Sequence, residues 1–188
     1  MTGKTDILFW RRVDVPGLER MALHCHDDGV LAEASVLCLE DGGFQLTHRW
    51  RLDPLWRTLS LDVVKLTGSN EQRLRLERTR DGWAVDGDHR PDLDGLDEPD
   101  LSVTPFCNTL PIRQMLAGTA SSQVLSTCYI NAADMRVVAS TQKYERISDT
   151  RFRYIDLGVF TGFEAVLDVD ADGFVERYEG LFERIRPA

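Results

Sequence analysis

The stretch that decides the fold is Asp41–Leu52, DGGFQLTHRWRL. After the Asp-Gly-Gly turn its residues alternate: Phe44, Leu46, His48, Trp50 and Leu52 fall on one face of an extended chain, Gln45, Thr47, Arg49 and Arg51 on the other. A period of two marks a half-buried strand, because successive strand side chains point to opposite faces. The residues before it, Val30–Leu39, read as a second strand, so Asp41-Gly42-Gly43 closes a hairpin.

The same rhythm runs outward in both directions. Leu59, Leu61 and Val63 alternate up to a turn at Thr67-Gly68-Ser69-Asn70. Leu74 and Leu76 alternate with Arg73, Arg75 and Glu77, and Asp81-Gly82 leads into Trp83 and Val85. Phe163, Ala165, Leu167 and Val169 form another strand pattern, followed by a turn and Phe174–Tyr178. Turns every ~8–12 residues predict an all-β sandwich or barrel. Two regions break the pattern. Asp86–Asp100 is acidic and rich in turn residues, and is expected to be a long surface connection or a loosely ordered excursion. Asn108–Leu116 carries helix signals: Asn108 as N-cap, Pro111 near the first turn, Gly118 as a stop. The expectation is one domain over residues 1–188, all-β, with a single short helix.

Bulk chemistry excludes several function classes. Of the 188 residues, 43% are hydrophobic and 28% charged, an ordinary composition for a globular domain. The net charge of −9 speaks against nucleic acid, which needs clustered Lys and Arg, and against anionic membrane surfaces. No apolar run reaches the roughly 18–20 residues of a transmembrane segment, and MTGKTDILFWRR lacks a signal-peptide core. Together with four cysteines and no CxxC pair, this predicts a cytoplasmic protein with reduced thiols.

Four constellations suggest chemistry. Asp168-Val-Asp170-Ala-Asp172-Gly173 with Glu179 fits the spacing of a calcium loop. The alternation on both sides of it favours a β-turn between two strands instead. His24 and His26 share one strand face, without a second pair at metal-ligand spacing. No serine sits in GxSxG, and Cys107 has no histidine nearby in sequence, so it reads as a buried thiol. There is no GxGxxG or phosphate loop, so no cofactor and no metal is expected. Arg49-Trp50-Arg51 with Trp56-Arg57 is the fourth: tryptophan and arginine suit sugar faces and anionic head groups as well as core and solvated positions.

Landmarks along nearly the whole chain carry a family resemblance. They are Trp50-Arg51-Leu52-Asp53 with Trp56-Arg57, Asp81-Gly82-Trp83, Leu93-Asp94-Gly95, Asp100–Arg113 (DLSVTPFCNTLPIR), Gln142–Arg146, and Asp168-Val169-Asp170 with Gly180-Leu181-Phe182. In that order they resemble the glycolipid-binding family of bacterial proteins, with TPFxNTLPIR the most specific part. Cys107 and Phe182 depart from the pattern, standing where Thr or Ala and Trp are expected. The resemblance implies an antiparallel sheet curved into an open barrel, similar in shape to lipoprotein localisation factors, with an apolar concave face for acyl chains. It implies a non-enzymatic binder of an amphipathic ligand such as a glycolipid. Arg49, Arg51, Arg57, Asn108 and Arg113 are the expected head-group contacts, flanked by Trp50, Trp56 and Tyr144. Two alternatives stay open: a hydrolase acting on a similar amphiphile, and a structural β module that forms a homodimer through its sheet edges.

Overall fold

Alternation of the kind seen in Phe44–Leu52 recurs because one sheet runs through almost the whole chain. The computed structural model describes residues 4–187. The strands are β1 (Lys4–Arg12), β2 (Gly17–His26), β3 (Gly29–Cys38), β4 (Phe44–Leu52), β5 (Thr58–Thr67), β6 (Asn70–Arg78), β7 (Trp83–Val85), β8 (Asp88–His89) and β9 (Glu98–Leu101). A helix, α1 (Phe106–Ala117), follows. The chain continues with β10 (Ser122–Asn131), β11 (Arg136–Ser148), β12 (Arg151–Asp156), β13 (Glu164–Val169), β14 (Val175–Tyr178) and β15 (Phe182–Ile185).

All fifteen strands form one open sheet in the order β8-β7-β6-β5-β4-β3-β2-β1-β15-β14-β13-β12-β11-β10-β9. Neighbours pair antiparallel except β9 and β10, whose parallel pairing is allowed by the crossover through α1. The architecture is therefore all-β with one helix, a rolled sheet that does not close.

The inner face holds the core. Trp10, Trp50 and Trp83 are fully buried, and each indole N–H finds an acceptor: Val175 O at 2.7 Å, His48 Nδ1 at 2.9 Å and Leu96 O at 3.1 Å. Because an indole N–H only donates, His48 Nδ1 accepts and Nε2 carries the proton that it gives to Glu19 Oε1 at 2.9 Å. Thr104 Oγ1 donates to the same oxygen at 2.8 Å and accepts the Phe106 N–H at 3.2 Å. This chain of bonds ties β2 and β4 to the start of the helix.

The two ends of the sheet are joined mainly by side chains, without a strand ladder. Glu98 accepts from Thr58 N at 3.1 Å and Arg78 Nη2 at 3.0 Å, while Arg78 Nε donates to Thr58 O at 2.6 Å. The Arg78 guanidinium lies 4.4 Å above the Trp83 ring, and Gly95 N donates to Asp81 O at 2.9 Å. Asp86–Asp100 is thus not a loose excursion. It contains β8, most of β9 and the fully buried Leu93, and it supplies one lip of the seam.

Two further expectations are corrected. The alternation puts Leu59 on the same face as Leu61 and Val63, yet Leu59 is exposed. The register shifts where Arg51 faces Ser60 and Leu52 faces Thr58, so Leu59 is the extra residue of a bulge and points outward. The helix begins at Phe106, before Asn108, so Asn108 is no N-cap, and Pro111 sits inside the helix. The turn at Asp170–Phe174 joins β13 and β14, as a hairpin reading requires. There Asp170 Oδ1 accepts from Asp172 N and Phe174 N, its Oδ2 meets Arg184 Nη1 at 2.5 Å, and Asp168 takes Arg151 Nε at 2.7 Å.

Candidate functional site

The site is built where α1 enters the roll of the C-terminal strands. Here the segment before the helix, the C-terminal part of β10, the ends of β12 and β14, and the start of β15 surround a cavity of about 120 Å³. Its polar wall is Asp100, Cys107, Asn108 and Asp156, and its aromatic walls are Tyr129, Tyr154, Tyr178 and Phe182. Phe160 and Phe163, from the loop between β12 and β13, stand at the opening. The rings form two groups: Phe160 lies edge-on to Tyr129 (5.5 Å between centroids), while Phe163 lies 6.1 Å from Tyr154 and Tyr154 lies 5.9 Å from Tyr178.

The two carboxylates of the cavity are held differently. Asp156 is buried; its Oδ1 accepts the N–H groups of Gly158 (2.8 Å) and Phe160 (2.9 Å), and its Oδ2 accepts Tyr154 OH at 3.1 Å. It fixes both the loop and a cavity wall. Asp100 Oδ1 accepts the Cys107 thiol at 2.9 Å, and its Oδ2 accepts Gln142 Nε2. Burial pushes Asp100 above the ordinary carboxylate value; the two donors offset part of this, and the charge of Asp156 adds to it. Burial also holds the Cys107 thiol well above its usual value, reinforced by the Asp100 charge. Burial moves the tyrosines in the same direction: Tyr129 is pushed up to about 12, and Tyr144, Tyr154 and Tyr178 are raised. All four hydroxyls therefore stay protonated donors at neutral pH.

Behind the cavity, Tyr144 OH donates to Asn108 Oδ1 at 2.8 Å, which locks the first turn of α1 to β11. The far side of the helix is braced by Arg113, whose guanidinium lies 3.8 Å above the Trp56 ring and donates to Asp172 O. Burial lowers the Arg113 pKa from its ordinary value. Trp56 takes a left-handed backbone (φ 63°), an uncommon conformation for a bulky residue. Asp53 sustains it by accepting from Leu55 N and Arg57 N through Oδ1 and from Arg57 Nε through Oδ2.

The eight residues expected to contact a ligand are thereby separated. Asn108 lines the cavity and Tyr144 lies directly behind it. Trp56 and Arg113 stack on one another at the opposite flank of α1. Trp50 is fully buried in the core. Arg49 and Arg51 are on the outer face of β4, where Arg49 pairs with Glu33 at 3.3 Å. Arg57, bonded to Asp53, opens onto a separate polar cleft of about 410 Å³ that also holds Arg78, Arg80 and Gln114. The cavity residues that sequence reading did not single out are Asp100, Tyr129, Tyr154, Asp156, Tyr178 and the Phe160–Phe163 loop. Asp100 alone carried a signal, as the first residue of the DLSVTPFCNTLPIR landmark.

Among the described residues no group of three or more His, Cys, Asp or Glu is arranged to hold a metal ion, and no helix is long and apolar enough to cross a membrane. Fold and site together define a class: an open, rolled β-sheet protein with an internal helix and a small cavity lined by aromatic rings and carboxylates. The chain belongs to the family described as "Putative glycolipid-binding", whose model matches residues 7–184. It is similar to the crystal structure of a DUF1089 family protein from Pseudomonas aeruginosa at 30% sequence identity and a TM-score of 0.77, covering 89% of this chain and 92% of that one. No curated protein matches it.

Proposed function

We propose that the protein binds an amphipathic, sugar-bearing molecule without transforming it, and that the Asp100–Asp156 cavity receives the sugar end. One observation carries the reading: two carboxylates, Asp100 and Asp156, and three tyrosines, Tyr129, Tyr154 and Tyr178, line one space together with Phe160, Phe163 and Phe182. Sugars present hydroxyls around their edge and C–H groups on their faces, so a lining of acceptors and aromatic rings matches them. The family name points to the same ligand class. At about 120 Å³ the cavity is smaller than the ~300–1,000 Å³ typical of whole-ligand pockets, so it takes one end of the molecule and the rest lies along Phe160 and Phe163. Within this reading Asn108 contributes to the wall, Tyr144 positions Asn108, and Arg113 with Trp56 holds the helix in place.

The hydrolase alternative gains nothing from Cys107. A thiol donating to a carboxylate and held well above its ordinary pKa supplies no thiolate at neutral pH. Native mass spectrometry of gently purified protein tests the proposal, with thermal-shift titrations of alkyl glycosides against alcohols of the same chain length. A glycoside-specific shift that Tyr129→Ala reduces is expected. Absence of any bound mass, together with equal shifts from glycosides and alcohols, would sink it.

A further inference from the structure

We infer that the loop from Leu157 to Phe163 is a docking tip for an uncharged lipid surface, through which the ligand's apolar part reaches the cavity; this rests on the amphipathic ligand proposed above. The loop reads Leu-Gly-Val-Phe-Thr-Gly-Phe and carries no charge. Four of its side chains are large, apolar and exposed: Leu157 (45%), Val159 (43%), Phe160 (52%) and Phe163 (38%). Single exposed apolar residues are normal, but four within the seven residues of one loop concentrate apolar surface of the kind that marks an interaction site.

Two of the four have a second role. Phe160 and Phe163 are exposed and also line the cavity, so one apolar path runs from the protein surface to its interior. The loop is held in shape by hydrogen bonds from its backbone N–H groups. Asp156 Oδ1 accepts two of its N–H groups, Val159 N donates to Ser140 Oγ at 3.2 Å, and Phe163 N donates to Phe160 O at 2.9 Å. Gly158 presses on Ser140 so closely that a Cβ there would lie 2.3 Å from Oγ. A tip already ordered loses little conformational freedom when it inserts.

Charge selects the partner. The exposed Glu164 follows the loop directly, and the whole chain carries −9, so an anionic bilayer repels it and a zwitterionic one does not. The commitment is to a zwitterionic or uncharged lipid surface.

Flotation of the full chain with phosphatidylcholine vesicles tests this. The wild type should float with the vesicles, and adding phosphatidylglycerol should weaken binding. Val159→Asp, which lies outside the cavity lining, should lower vesicle partitioning at least tenfold while leaving the binding of monomeric dodecyl maltoside unchanged. Leu37→Asp, an exposed apolar residue on the outer face of β3, should have no effect. Failure of the wild type to float, or an equal loss from Leu37→Asp and Val159→Asp, overturns the inference. So does a dimer in light scattering that Val159→Asp dissociates without any vesicle binding, because the tip would then cover a second copy. If dodecyl maltoside binds and vesicles do not, the tip fails while the ligand reading stands. Vesicle binding without dodecyl maltoside binding rejects the ligand reading and, with it, the tip's role as a route to the cavity.

Discussion

Removing the hydroxyl of Tyr144 should loosen the joint between helix and sheet by a calculable amount. Tyr144 OH donates to Asn108 Oδ1 at 2.8 Å, and both residues are buried. The next acceptor, Gln142 Oε1, is 3.4 Å away and weakly placed. In Tyr144→Phe the amide oxygen of Asn108 is left buried without its donor, which costs about 1–3 kcal/mol. A chain of this length loses roughly 2–4 °C of Tm per kcal/mol, so a central value of about 2 kcal/mol gives a fall of about 4–8 °C. Asn108→Ala strands the same bond from the other side and should cost a similar amount. Since the two act through one interaction, the double variant should cost about 1–2 kcal/mol less than the sum of the singles. Burial raises the Tyr144 pKa well above 10, so the effect should not change across the neutral range. Urea unfolding of the four proteins, checked by calorimetry, completes the cycle. Additive costs, or a Tyr144→Phe change below about 0.5 kcal/mol, would refute the bond as the fastening of the helix.

Arg113→Ala should cost about 1–2 kcal/mol through loss of its stack on Trp56 and its bond to Asp172 O; Arg113→Lys should restore less than half, because a lysine has no planar group to stack, and thermal unfolding reads both. Asp100 has a raised folded pKa, so the folded chain holds this proton more tightly than the unfolded chain. Its contribution is fully favourable below the ordinary carboxylate value and is lost as pH rises through the folded value. Asp100→Asn should therefore gain stability relative to the wild type as pH goes from ~4 to ~8, and a pH-independent difference would contradict the assignment. Ellman's reagent should modify the half-buried Cys25 first, whereas Cys38, Cys107 and Cys128 should wait for unfolding; rapid reaction of Cys107 in the native protein would contradict its burial against Asp100.

What could be read from the residues followed the period of two. Phe44–Leu52 is a strand with the inner and outer faces that its alternation assigns, and the turns at Asp41–Gly43 and Asp170–Phe174 join strands as their Asp and Gly content implies. The same alternation already contained a warning about the arginine and tryptophan cluster: neighbours such as Arg49, Trp50 and Arg51 cannot share a face. Leu59 misled because a bulge is set by the partner strand and leaves no mark in its own sequence. Asp86–Asp100 misled because strands of two and four residues are too short to show a period, and its single large anchor, Leu93, is surrounded by acids. Asn108 has the chemistry of a cap, but a tyrosine 36 residues further on claims its side chain. The cavity draws on residues from Asp100 to Phe182, brought together by a register no local pattern encodes.

The pairing of β1 with β15 in the middle of the sheet gives the molecule a folding order. Every other antiparallel pair joins strands consecutive in sequence, so the strands β1–β8 and β10–β15 are two meanders that can zip up locally. Hairpins form in about 1–10 μs, whereas joining the arms requires contacts such as Phe9 with Ile185, across nearly the whole chain. Until that joint forms, the first arm carries Trp10, Trp50 and Trp83 on a face with no opposite wall, and an open edge at β1. An arm in that state is the form most exposed to aggregation during synthesis. Trp10, whose indole reaches across the joint to Val175 O, is buried by the event that ends this exposure, and its fluorescence would time it.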